Sequence, residues 1–594
     1  MGNLLVFAIL LIAFYRLVLK KSIHWFQFTA WPYVLNVYNR QLSFFLKGWN
    51  PYYLFASIIV LLFFTFFLVG VRSPKVLFFP DNEPNNIFVY VKMPEGTDQK
   101  VTDSVTRIVE ERVFNLLGQD NPMVESIIAN VAVGAGEDES FDQSIAFNRG
   151  KVTINFVEHK FRHGQSTTRY LDDIRAVVKD IPGAEITVDQ NKMGPPTGRP
   201  VNIEISGENF DELVEEALRF QKYLDSLQIP GIEELKNDLV VNSPEISLVI
   251  DRERALREGL STGQIGMEIR TAIYGKEVSK YKENEDEFPI QLRYDETTRK
   301  NIDALMNLKI TYRDMVTGKL RSIPLSTVAK IDYDNTYGGI KRKNLKRMIT
   351  VYSNVLTGYS PNDIVPRIQQ IASTYPMKEG ISVQLTGEQE EQAETSAFLG
   401  KAMIIAIGII FFILITQFNS FSKAFIILSE VIFSIIGVLL GVVIFDMDIV
   451  ILMTGLGIVA LGGIVVRNGI LIVEFADMMR SQGMKVRQAV LEAGKQRATP
   501  VFLTAASTIL GLIPLAVGMN LNFVTLFTEF RPQLHFGGDN VAFWGPLSWT
   551  IIFGLSFATF LTLALVPALY VMVHGMKQRV SRHRSNRQWR RENR

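Results

Sequence analysis

The chain has 594 residues, 47% of them hydrophobic and 21% charged, with a formal net charge of +2 at pH 7. That balance excludes a disordered chain and a strongly basic nucleic-acid binder, and the length predicts several domains. With no cysteine anywhere, disulfides, thiolate metal sites and thiol chemistry are excluded together, which is compatible with a large domain in an oxidising compartment.

In chain order, seven apolar runs have about the 20 residues of helix needed to cross a bilayer: 1 to 19, 53 to 71, 398 to 417, 424 to 445, 449 to 473, 500 to 520 and 548 to 573. The first lacks a basic start and a small-residue cleavage site, and Lys20 and Lys21 follow it, so it reads as a retained helix rather than a signal peptide. Basic residues gather between alternate runs: Lys20, Lys21, Arg40 and Lys47; then Lys423; then Arg480, Lys485, Arg487, Lys495 and Arg497; then the tail. With one crossing per run they share one side, which is the cytoplasm. The basic tail reads as a solvated or lipid-headgroup-facing terminus rather than a nucleic-acid arm.

Residues 72 to 397 then lie on the opposite side, and they are too many for a loop. Strand-then-helix units recur there: IFVYVKM before VTDSVTRIVEERVFNLL, VNIEISG before FDELVEEALRFQKYL, and MITVYSNVL before PNDIVPRIQQIAS and ISVQLTG. In the second unit Phe210, Leu213, Val214, Ala217, Leu218 and Leu224 share a helical face, and Asn209 with Glu212 resembles a capping box. Such units predict two split βαβ, or ferredoxin-like, subdomains with an insertion at about 244 to 345 in the second. No HExxH, P-loop, GxSxG or dinucleotide fingerprint occurs in the chain, so an enzyme is not expected.

One charge is out of place. In GGIVVRNGILIVEFAD, residues 462 to 477, Arg467 interrupts an apolar run, at an insertion cost of about 2.5 to 3.5 kcal/mol. Glycines at 455, 457, 462, 463 and 469 predict that this helix is enclosed in a bundle. Two readings stand. Arg467 lies about six residues from the end of its run and could snorkel to the interface, or it serves a charge relay with intramembrane carboxylates that load and release protons.

GIVVRNGILIVEFAD, followed by QAVLEAGKQRATPVFLTAASTILGLIPLAVG at 488 to 518, resembles the C-terminal half of the resistance-nodulation-division (RND) efflux transporters of the hydrophobic and amphiphilic efflux type. The likeness covers about residues 20 to 575, including PDNEPNNIFVYVKMPEGT and GPLSWTIIFGLSFATFLTLALVPALY. It implies a proton relay in which Arg467 matches a basic residue, usually lysine, and Arg497 and Thr504 match the arginine and threonine of the next helix. The relay's two aspartates lie on a helix of the N-terminal half. No Asp occurs inside the seven runs; Asp446 and Asp448 sit at a boundary and Glu430 toward the cytoplasmic end of the fourth. The aspartates are therefore expected from an N-terminal-half chain or segment, with the transporter either divided between two polypeptides, to which the opening Met leans, or represented here by its C-terminal portion.

The implied fold is an α-helical polytopic membrane bundle of about seven transmembrane helices with a large α+β periplasmic region. Its expected parts are an extra N-terminal membrane helix (1–21), a cytoplasmic interfacial amphipathic helix (22–50), a membrane helix (51–72), a first porter subdomain (73–199), a second in two parts (200–243 and 346–395), a docking subdomain (244–345), a bundle of five membrane helices (396–576) and a basic cytoplasmic tail (577–594). The implied partners are the other half, a trimer of such units, a periplasmic adaptor, an outer-membrane channel and the lipid bilayer, with no cofactor, metal or nucleic acid. The implied place is the bacterial inner membrane. Where many drug exporters carry phenylalanines in and beside the switch loop, this sequence has Ile128, Asn130, Val133 and Ala135. These are candidate cleft residues that favour lipids, fatty acids or bile-salt-like amphiphiles as much as planar drugs. A lipid or envelope-component exporter and a non-transporting scaffold half are the alternatives to a drug pump.

Overall fold

A computed structural model describes residues 2–80, 82–136, 145–162, 164–191, 194, 198–239, 243–313, 318–336, 339–356 and 358–592. The chain begins with α1 (Gly2–Phe14), which continues through π-helical and α-helical turns into α2 (Trp31–Phe45). No glycine or proline lies between Gly2 and Pro32 to stop it. The first apolar run is therefore a 13-residue helix and a π turn at the head of a longer helical stretch. Among the described residues six helices, not seven, are long and apolar enough to cross a membrane. α2 packs its buried Leu42 and its Tyr38 against Gly494, where a Cβ would come within 2.6 Å of Leu42 Cδ2. The first of the six membrane-length helices, α3 (Asn50–Arg72), follows.

Next comes a four-stranded antiparallel sheet of β1 (Asn86–Lys92), β2 (Val124–Val131), β3 (Arg149–Phe156) and β4 (Glu185–Gln190) in the order β2-β3-β1-β4. Helices α4 (Gln99–Leu117) and α5 (Thr168–Val178) connect and cover it. Ile87, Val89, Val91, Val152 and Ile154 alternate onto the helix-covered face and pack with Val109, Val113 and Ile174.

A second sheet repeats this plan. It begins with β5 (Val201–Gly207), α6 (Phe210–Ser226) and the short β6 (Lys236–Asn237). Asn209 caps α6, accepting from Asp211 N at 3.2 Å while its amide donates to Glu212 at 2.9 Å. The sheet is completed further along the chain by β7 (Lys346–Ser353), α8 (Pro361–Thr374) and β8 (Ser382–Leu385). β7 and β8 flank β5, and β6 pairs with β7, all antiparallel. Residues between the two parts, with Pro94–Asp98, form a separate compact unit, Leu239–Ile340. That unit contains α7 (Thr262–Tyr274) and has its own core of Ala255, Leu260, Ile265, Ile310, Leu325 and Val328.

From β8 the chain passes through Gly387, at φ +70°, straight into α9 (Glu388–Phe418). A Cβ at Gly387 would lie 3.0 Å from Asn202 Cβ and 3.1 Å from Arg199 O, so only glycine lets sheet and helix meet there. Then follow α10 (Phe421–Ile444), α11 (Ile451–Ser481), α12 (Val486–Ala516) and α13 (Asp539–Glu592). α13 continues well past the expected end of the bundle at 576, because nothing after Gly575 breaks a helix. The first sheet is tied to the head of α13: Asn85 donates to Asp539 at 2.6 Å, and His159 lies over Gly537, where a Cβ would come within 2.7 Å of its ring.

Candidate functional site

α11 and α12 run as neighbours, and two contacts define their seam. The Thr504 hydroxyl, on α12, lies 3.4 Å from Asn468 Oδ1 on α11. One helical stretch away, the Arg497 guanidinium lies 4.5 Å over the Phe475 ring. The intervals match, since 497 to 504 and 468 to 475 are both seven residues, two turns in each helix. The Arg497 Nε is buried with no hydrogen-bond partner among the described residues. The structure thus brings Arg497 and Thr504 to α11, and Thr504 to the residue next to Arg467.

Arg467 itself does not join them. It is exposed on the surface of this chain and makes no hydrogen bond or ion pair among the described residues. Within this chain the helix is enclosed on one side only. Gly457, Gly462 and Gly469 do admit neighbours, meeting Thr550, Val431 and Glu430 at 2.8, 3.3 and 2.9 Å from an added Cβ. Residues two apart on a helix differ by about 200°, so seating Gly469 against α10 turns Arg467 outward.

Behind that seam lies a polar group the sequence reading passed over. Glu430, on α10, is wholly buried, with Thr562 Oγ1 of α13 at 3.0 Å from its Oε2. Asn468 is also buried, at 4% exposure. Each is a polar residue within an apolar run, which was the signal available. Toward the end of α11 a third group forms: Lys423 pairs with Asp477 at 2.6 Å, the Tyr570 hydroxyl donates to Asp477 at 2.5 Å, and Arg480 donates to Tyr570 at 3.3 Å. This cluster ties the start of α10 to α11 and α13. It marks the level at which charged side chains first find partners.

The candidate cleft residues divide. Ile128 and Asn130 stand on β2, the edge strand, on the face turned away from α4 and α5, and Val133 follows in the loop at 60% exposure. Ala135 is buried at 2% exposure and offers no surface to a ligand. Register continues that face inward in two rows, Ile128–Thr153–Phe88–Asp189 and Asn130–Lys151–Tyr90–Thr187, in which Phe88, Tyr90 and Thr187 are buried. The Lys151 ammonium lies 4.4 Å from the Phe88 ring and 5.3 Å from Tyr90. Two buried aromatic rings and a cation therefore lie on the same sheet face as Ile128 and Asn130. They come from a strand whose sequence, FVYVK, gives no hint which way it faces. No group of three or more His, Cys, Asp or Glu side chains among the described residues is placed to hold a metal ion.

Comparison with known proteins places this geometry. The chain is 27% identical over 375 residues to the cobalt-zinc-cadmium resistance protein CzcA of Cupriavidus metallidurans, a match that covers 63% of this chain and 33% of that protein. It is 23% identical over 523 residues to the multidrug resistance protein MdtC of Citrobacter koseri, covering 87% of this chain and 46% of that one. The crystal structure of a heavy metal efflux pump shares the fold with a TM-score of 0.68 at 21% identity, over 92% of this chain and 53% of that chain. The chain thus spans between about a third and about half of the length of these proteins. Residues 8–574 match the AcrB/AcrD/AcrF family, and the chain belongs to that family of RND efflux transporters.

Proposed function

We propose that the chain is one half of a proton-driven exporter of the inner membrane, which moves hydrophobic or amphiphilic compounds outward through an adaptor and an outer-membrane channel. It works in a trimer of complete units. The two sheet-bearing subdomains act as porter subdomains, and the unit Leu239–Ile340 serves docking. Arg467, Arg497 and Thr504 belong to its proton relay, and the relay's carboxylates come from the other half.

The observation that carries this reading is Arg467, exposed and unpaired near the middle of a membrane-length helix. Snorkelling fits poorly: Asp477, where charges begin to pair, is ten residues on (467 to 477), about 15 Å along the axis. A surface that leaves a guanidinium in lipid costs about 2.5 to 3.5 kcal/mol. A second helix carrying carboxylates removes that cost. Arginine stays charged at any attainable pH, so it does not carry the proton; it pairs with the carboxylates when they are ionised and releases them when they are neutral. The difference in contact energy between those two arrangements biases the helix packing, which is how proton uptake becomes movement.

Coupled transport in proteoliposomes tests the relay. Arg467→Ala should leave the complex assembled and abolish export, and Arg467→Lys should keep part of it, since charge survives and the planar fork of donors does not. Near-normal transport per complex by Arg467→Ala would refute the role.

For substrate, the exposed Ile128 and Val133, with Lys151 on the same sheet face as Ile128, favour a bulky amphiphile over a metal ion. The likeness to CzcA supports the metal reading in its place. Val133→Phe should shift export from aliphatic amphiphiles toward planar aromatics. Zinc or cobalt export unchanged by Val133→Phe, with no amphiphile export by the parent complex, would install the metal reading.

A further inference from the structure

Glu430 is used by nothing above. It is the tenth residue of α10 and has no exposed surface, packed between α11 and α13 on the side of α11 opposite Arg467. A Cβ at Gly469 would come within 2.9 Å of its Oε1 and 3.1 Å of its Cδ, so the glycine is what admits the carboxyl into the seam. Oε1 has no hydrogen-bond partner among the described residues.

The hydroxyl beside it favours a protonated carboxyl. Thr562 Oγ1 lies 3.0 Å from Glu430 Oε2 and 2.9 Å from the Ala558 carbonyl, yet a hydroxyl has one proton to give. A protonated carboxyl satisfies both contacts in full, donating to Thr562, which donates to Ala558; an ionised one would have to share the single hydroxyl proton with the Ala558 carbonyl. The nearby hydroxyl, amide and ammonium groups have other partners. Ser429 and Ser434 donate to carbonyls of their own helix at 2.6 and 2.7 Å, and Thr559 to Leu555 O at 2.7 Å. Asn468 is held by Thr504, and Lys423 by Asp477. Arg467 faces outward, and no cation pairs with Glu430 among the described residues.

We propose that Glu430 is a proton-binding site within this half's own helices, filled in the packing described here, and that emptying it loosens α10 and α13 from α11 at Gly469. On release the carboxyl O–H bond breaks, the electron pair stays on oxygen, and the proton passes to water entering the loosened seam. A charge left there has one hydroxyl for company, which an apolar bundle does not tolerate. The helix that responds is the one that bears Arg467, so the site supplies the proton-driven reading with a second input. Its occupancy does not depend on that reading.

The test treats the purified complete transporter with dicyclohexylcarbodiimide, which a carboxylic acid adds across a C=N bond, its proton going to nitrogen, before acyl migration gives a stable N-acylurea. Peptide mass spectrometry should find the adduct on Glu430 at pH 6, in the parent and equally in Arg467→Ala, which separates this site from the relay. Glu430→Gln keeps a donor and an acceptor but cannot empty. It should hold the parent's thermal midpoint while coupled transport falls at least tenfold. Absence of the adduct in transporter turning over in proteoliposomes, where the seam opens, or a thermal midpoint well below the parent's in Glu430→Gln, would overturn the filled site. Parent-like coupled transport by Glu430→Gln would overturn the switch.

Discussion

The two sides of α11 differ in one respect that organises the rest. On its inner side two buried polar residues meet hydroxyls of this chain: Asn468 meets Thr504, and Glu430, admitted by Gly469, meets Thr562. On its outer side Arg467 has none among the described residues. Two residues and about 200° of helix separate the sides. The lesson is that a buried polar group can be completed locally by a neighbouring hydroxyl or glycine, whereas a guanidinium at this depth calls for carboxylates, and the one α11 carries on that face, the exposed Glu474, stands two turns away and makes no ion pair with it among the described residues.

The comparison can be strained at several points. The largest expected effect is on the outer side, where Arg467→Ala abolishes coupled export without loss of assembly. On the inner side Gly469→Ala should cost about 1 to 3 kcal/mol in a reversible denaturant titration in mixed micelles, because the new methyl meets the Glu430 carboxyl and the core must shift. That cost should fall in a Glu430→Ala background, with a coupling of about 0.5 to 3 kcal/mol, since the clashing atoms are gone. A cost unchanged in that background would mean the helices are close at Gly469 for another reason. The smallest effect is expected from Thr504→Val. It gives up a long 3.4 Å contact with Asn468 and a 2.9 Å bond to the Val501 carbonyl of its own helix, so the change in stability should lie within about 0.5 to 1.5 kcal/mol, and any larger loss would have to be read in transport.

How much of this was legible in the sequence differs between the two sides as well. The runs that form α3 and α9 to α13 could be read from length and hydropathy, because a bilayer sets the length of what crosses it. The alternation in VNIEISG and the capping Asn209 likewise carried enough local information to mark β5 and the start of α6. The first run did not, since helix continuity from Gly2 to Phe45 depends on what is absent between them and on the docking of Leu42 against Gly494. Arg467 stood out because a charge in an apolar run is rare. Which way it faces was not legible, because glycines on both sides of it permit close approach and only the packing shows which are used. Glu430 was visible as a residue and invisible as a site, for its meaning lies in Thr562, 132 residues away. Ala135 shows the opposite failure: its position in the loop suggested a cleft, and the fold buries it.

The most direct test uses the natural lack of cysteine. A single Arg467→Cys variant, expressed in cells that supply the other half, would be treated with a short bifunctional thiol-to-carboxyl cross-linker and the product mapped by mass spectrometry. The account predicts a cross-link from position 467 to a carboxylate-bearing membrane helix of that half, with maleimide labelling of position 467 suppressed in the assembled complex and restored when this chain is isolated. Free labelling of position 467 in the assembled, transporting complex, with no cross-link to such a helix, would contradict it.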